Sequence, residues 1–152
     1  MMRAWDFILR LYGSEGVEPA CLALQDEHDQ CVPLLLWRAW TLAEGRRVDG
    51  RLLTSAVATA RAWHGEVIAP IRTVRRRLKA PFSSVDDAAR LVLRQEIATR
   101  EMAAERLLID ALEALTGPPG DGPSPPLVEL HRTAAAWGHD APDSLLTGLL
   151  PD

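Results

Sequence analysis

The stretch Pro33-Leu34-Leu35-Leu36-Trp37-Arg38-Ala39-Trp40-Thr41-Leu42 decides the fold. Pro33 suits the first turn of a helix, where its fixed φ is already helical and its missing N–H would have no partner. Leu34, Leu35, Leu36, Trp37, Trp40 and Leu42 then leave the helix apolar almost all round. Such a helix belongs at the centre of a core rather than on its surface. Gly45 is its natural stop.

Working toward the N-terminus, Pro19 opens a preceding helix over about residues 18–30, with Cys21 and Leu24 on one face. Before it, Trp5, Ile8, Leu9 and Tyr12 follow the i, i+3, i+4, i+7 spacing of a first helix, closed by Gly13. Working toward the C-terminus, Leu53, Val57, Ala60, His64, Val67, Ile71, Val74 and Leu78 step by three or four residues along one long helix. Pro70 is expected to kink or split it. Ser84 reads as the N-cap of a last long helix reaching Leu115, with acids in its first turn. Its apolar stripe is read as Leu93, Ile97, Ala104, Leu108, Ala111 and Leu115. Glu96 with Arg100, and Arg106 with Asp110, are i, i+4 pairs for its wet side.

No strand-like alternation and no repeat is found. The expected fold class is therefore all-α: a single helical bundle of about five main helices over residues 1–116, one of them long and Pro-kinked. Residues 117–126 hold eight Gly or Pro in ten and read as a linker. Residues 127–152 read as an acidic, Leu-rich helical tail. Neither of its two short helices makes a core alone; they dock back, bind something else or stay mobile.

A chain of 152 residues, 47% apolar and 25% charged, fits a soluble domain with a core of its own. No apolar run reaches the roughly 20 residues that cross a bilayer, so no membrane is expected. Asp6 and Arg10 interrupt any secretory apolar region, and two cysteines make no disulfide framework. The expected localisation is cytoplasmic. Residues 1–116 hold sixteen acids and sixteen bases, so the whole net charge of −4 falls in the C-terminal part. A neutral domain argues against indiscriminate coating of nucleic acid or membranes.

Several segments together carry a resemblance: Trp5-Asp6-Phe7, Ala20-Cys21-Leu22-Ala23-Leu24-Gln25, Leu34-Leu35-Leu36-Trp37, Pro70-Ile71-Arg72 and Arg75-Arg76-Arg77-Leu78-Lys79. The chain resembles a small proteobacterial family of conserved hypothetical proteins, a domain of unknown function, over roughly residues 3–116. The extension from Gly117 departs from that pattern. The resemblance implies an all-helical bacterial domain and transfers no activity, cofactor or catalytic residue.

The strongest local signal is basic. Arg72, Arg75, Arg76, Arg77 and Lys79 place five cations in eight residues, with no acid between Glu66 and Asp86. Positions 72, 75, 76 and 79 fall within about 100° of helical arc. They are expected to form an outward ridge while Val67, Ile71, Val74 and Leu78 face inward. Arginine suits forked capture of carboxylate or phosphate. The expected partner is an acidic protein, or the chain's own acidic tail, with Leu145, Leu146, Leu149 and Leu150 as apolar anchors. Nucleic acid ranks lower, because no aromatic ring interleaves the cations.

Catalytic chemistry finds less support. No nucleophile elbow or phosphate-cradling glycine loop is present. Asp26, His28 and Cys31 offer metal-type donors but match no zinc spacing, and no metal or cofactor is expected. Cys21 and Cys31 would stand about 15 Å apart on a helix, too far for a disulfide, and read as buried thiols. His64 reads as a satisfied interior residue and His131 and His139 as solvent-facing. Trp5, Trp37, Trp40 and Trp63 read as core anchors, with Asp6, Gln25 and Thr41 as acceptors near in sequence for their N–H groups. The reading that follows is a non-enzymatic interaction or adaptor protein. Nucleic-acid binding, and an enzyme using His28 or His64, are the alternatives.

Overall fold

A computed structural model describes residues 1–120 and 124–152. Its axis is the helix Val32–Ala43, in which every residue from Val32 to Thr41 is buried. Numbered in chain order, the helices are α1 (Ala4–Tyr12), α2 (Val17–Glu27), α3 (Val32–Ala43), α4 (Gly50–Trp63), α5 (Ala69–Arg77), α6 (Asp87–Leu115), α7 (Pro126–Trp137) and α8 (Asp143–Thr147). A five-residue π-helical turn, His64–Ile68, joins α4 to α5. The fold is all-α, and the described residues contain no strand, only one isolated bridge between Arg46 and Pro119. No described helix is long and apolar enough to cross a membrane.

Helix α3 packs against α1, α2, α4, α6 and α7. Trp37 and Trp40 are wholly buried there, and each indole N–H finds an acceptor. Trp37 donates to Thr116 Oγ1 at 2.9 Å, and Trp40 to the Met2 carbonyl at 2.9 Å. Trp63 donates to the Ala104 carbonyl at 2.7 Å. All three acceptors are distant in sequence or terminal, so Asp6, Gln25 and Thr41 are not used. Buried donors left unmatched would each cost about 1–3 kcal/mol, so these bonds tie α3 and α4 to defined partners.

The C-terminal helices complete this core. Leu130, Thr133 and Ala134 of α7 are buried against α3 and α4, and Trp137 donates to the Asp29 carbonyl at 2.9 Å. Arg38 of α3 and Glu129 of α7 form a buried pair at 2.8 Å. Leu146 and Leu149 are wholly buried, and α8 lies on α2 and α7. Gly148 permits this closeness, since a β-carbon there would meet Ala20 Cβ at 3.1 Å. Each fully buried leucine contributes about 1.5–3 kcal/mol. The Gly/Pro stretch is pinned at its start, where Gly120 N–H donates to the Gly45 carbonyl at 3.0 Å.

One boundary and one buried face differ from expectation. Asp86, not Ser84, caps α6, its carboxylate accepting from Ala89 N–H at 2.9 Å. The buried face of α6 is Glu101, Ala104, Leu108, Ile109 and Leu112, whereas Leu93, Ala111 and Leu115 are exposed. Between residues 87 and 100 only Arg90 is buried. The start of α6 is thus mostly exposed and α5 packs against α6, the two helices together forming an arm.

Candidate functional site

Pro70 governs what the basic run does. It cannot donate to the Glu66 carbonyl, and its ring crowds that carbonyl in a regular α-helix. The chain answers with a wide turn: Ala69 N–H reaches back to the His64 carbonyl, five residues away. The long helix is thus divided at this point into α4 and α5 by a π-helical turn. One residue is absorbed, and everything after it rotates by one position. The most buried positions pass from Leu53, Val57 and Ala60 to Ile68 and Arg72, while Val67 and Ile71 pack half-buried against the core and Val74 is turned outward. Ile68 is wholly buried and Val74 is 47% exposed.

The outward ridge is therefore corrected at two of its members. Arg72 is only 7% exposed. Its Nε donates to Glu101 Oε1 at 2.8 Å and its terminal nitrogen to Glu105 at 3.1 Å. Arg75 grips the other oxygen of Glu101. Burial pushes the Glu101 carboxyl up, but Arg75 and Arg72 more than offset this and hold it below its ordinary value. Glu105 is raised, by burial first and with Glu101 adding to it, against the pull of Arg72. This four-residue ion network fastens α5 to α6.

The rest of the run stays at the surface. Arg76 pairs with Asp26 of α2 at 2.6 Å, both half-exposed. Arg77 lies over the Phe82 ring, 3.6 Å from its centre. Lys79 is exposed near the end of the arm. Beside them, Val85, Leu91, Val92 and Leu93 are 46–61% exposed. Leu91, Val92 and Leu93 make an exposed aliphatic run at the start of α6; Leu93 was expected in the inward stripe, and Leu91 and Val92 were not singled out.

The tail is corrected more fully. Leu146 and Leu149 are in the core, and Leu145 and Leu150 pack half-buried against it, so none is a free anchor. Nor do the tail's acids reach the basic run. Glu129 is held by Arg38 and Arg132, and Asp140 and Asp143 by His131. Asp121 lies outside the described residues.

Cys21 and Cys31 are free, buried thiols. Among the described residues no group of three or more His, Cys, Asp or Glu is placed to hold a metal ion. His28 caps the end of α2. His64 sits in the π turn with its ring edge-on to Trp137, the centres 5.4 Å apart. Its Nδ1 is buried without a partner, so it is not the satisfied histidine expected. Burial and then Arg72 lower its pKa, which keeps the ring neutral.

A family model described as a protein of unknown function, DUF2390, matches residues 3–112. No curated protein and no solved structure matches the chain. The matched span ends inside α6, so Leu130, Trp137 and Leu146 complete a core from outside it.

Proposed function

As the chain belongs to this family of unknown function, we propose from its surface that it is a non-enzymatic interaction protein of the bacterial cytoplasm, adaptor or regulatory in type. Its docking surface is the α5–α6 arm. The observation that supports the reading is the coincidence there of surface cations (Arg76, Arg77 and Lys79) with exposed aliphatic side chains. Arg76, Arg77 and Lys79 are exposed there, with Asp26 paired to Arg76, while Arg90 is buried and bonded to the Leu78 carbonyl and Asp87. Leu91, Val92 and Leu93 supply apolar contact area. The matching partner is an acidic protein segment that also presents apolar side chains. Arg76 would exchange Asp26 for a partner carboxylate at little cost, because exposed ion pairs contribute only about 0–1 kcal/mol.

Nucleic acid fits less well. Arg72 and Arg75, two of the five cations in the run, are already matched by Glu101.

The test is photo-crosslinking in host cells from a reactive side chain at Val92, with exposed Val128 on α7 as control. The reading expects a discrete protein adduct at Val92, absent at Val128 and removed by R77E/K79E. No adduct at Val92, or one indifferent to the charge reversal, contradicts it. A nucleic-acid adduct at Val92 would favour the alternative.

A further inference from the structure

A separate face of the molecule carries one sign of charge at each end. The groove between α2 and α6, about 360 Å3 in volume, is lined by Glu18 and Leu22 of α2 and by Arg94, Ala98 and Met102 of α6. Arg75, Glu101 and Glu105 also line it, but with Arg72 they already match one another in the ion network. Glu18 and Arg94 are left over. Among the described residues neither makes an ion pair or a side-chain hydrogen bond, and Arg94 Nε is buried with no partner.

The two charges mark opposite ends. Glu18 lies with Glu105 close to Cys21, and Glu105 stands about 16 Å beyond Arg94 along α6. Glu15, in the turn before α2, is also exposed, and no base occurs between Arg10 and Arg38. On α6, Leu91, Gln95, Ala98 and Met102 fall within about 60° of helical arc. Leu91, Met102 and, across the groove, Leu22 are 51–60% exposed. The strip is thus apolar along its length, with a cation toward one end and an acid at the other.

We propose that this strip is the interface between two copies of the chain related by a two-fold axis. Such an interface pairs residues reciprocally, so it needs a surface that complements itself. A strip with opposite signs at its two ends does so when the copies run antiparallel. Glu18 of each copy then meets Arg94 of the other, and Leu91 of each meets Met102 of the other. The small side chain of Ala98 lies between them and lets the two helices approach. A partner of a single charge sign would meet like charge at one end, which costs affinity. The strip is turned about 100° round α6 from Val92, so it stands whether or not the arm docks another protein.

The test is sedimentation velocity of the full chain across micromolar concentrations at physiological salt, with charge-swapped variants. The wild type should sediment as a dimer. R94E and E18R should each raise the dissociation constant at least about tenfold, since each sets two like-charge pairs in the interface. An equimolar mixture of the two variants should restore a one-to-one dimer, because both contacts then join opposite charges. The double variant E18R/R94E should restore it for the same reason. R77E/K79E, which alters the arm alone, should leave the dimer unchanged. A wild type that stays monomeric overturns the proposal. So does a dimer indifferent to both reversals, one that neither the mixture nor the double variant restores, or one that R77E/K79E disperses. Should R94E fail to fold, M102E at an exposed side chain replaces it; dispersal of the dimer is expected, and an intact dimer overturns the proposal.

Discussion

Replacing Glu101 by Gln perturbs the carboxylate that holds Arg72 and Arg75 inward. Both Glu101 and Arg72 have side chains only 9% exposed, and their nearest atoms are 2.8 Å apart. Removing one charge from a buried pair typically costs about 3–5 kcal/mol, because the other charge is left uncompensated. Two features reduce this. Gln keeps an oxygen that still accepts from Arg72, and Arg72 keeps Glu105 at 3.1 Å. The expected loss for E101Q is therefore roughly 2–3 kcal/mol. With a urea m-value of about 2 kcal/mol/M, the unfolding midpoint should fall by about 1–1.5 M. Glu105 is the internal control. Its raised pKa means the structure already disfavours its charge, so E105Q should cost less than about 1 kcal/mol. The pH dependence separates them further. Glu101 titrates below its ordinary 4.5, so its stabilisation is complete above that pH and fades as pH falls through the lower folded value. Glu105 titrates above 4.5, so its contribution is present in acid and is lost as pH rises through the raised value. E101Q should flatten the acid limb of stability against pH, and E105Q should steepen it. Equal, small losses for E101Q and E105Q would mean that water reaches these arginines, and the rotated stripe would be wrong.

Three further outcomes follow from the same packing. Leu146→Ala should cost about 2–5 kcal/mol in urea unfolding, and truncation after Thr116, which also strands Arg38, should abolish cooperative melting; a truncated chain that melts sharply near the full-length temperature would refute this. His131 is raised above its ordinary 6.5, first by its hydrogen bond to Asp140 and then by Asp143, so its contribution to stability is present below that pH and is lost as pH rises through the raised value. An NMR titration should show this, with D140N bringing the value down; titration at the ordinary value in the wild type would count against the contact. Burial pushes the Cys21 thiol up to about 11 and Cys31 up to about 12, so a thiol reagent at neutral pH should label neither until urea unfolds the chain; prompt labelling of the native protein would be inconsistent with their burial.

The helices were legible because their signals are local. Pro33 and Gly45 bracket α3, and three- and four-residue steps mark α1, α4 and parts of α6. The fate of the arginines was not, although its cause sits in the sequence. Pro70 announces an interruption, but not whether the chain bends or takes up a residue in a π turn. Only the second rotates Arg72 and Arg75 inward. Their partners, Glu101 and Glu105, lie about thirty residues downstream on another helix, beyond any i, i+4 reading. That pair does share a helical face with Ala104 and Leu108, and two acids on an apolar face are a usable sign of buried partners. Likewise Arg106, read as an i, i+4 partner of Asp110, instead lies over Trp5 at 5.4 Å. The tail's leucines were correctly seen as an apolar side, but their receiving surface is assembled from α2 and α7, which no local pattern shows.

Residues 126–149 belong to the bundle, while the arm is left free. Hydrogen–deuterium exchange on the full chain measures both at once. Amides of α7 should be protected to the same degree as those of α3, opening only with global unfolding, while residues 80–95 exchange many-fold faster. Rapid exchange across α7 with slow exchange in the arm would contradict this arrangement.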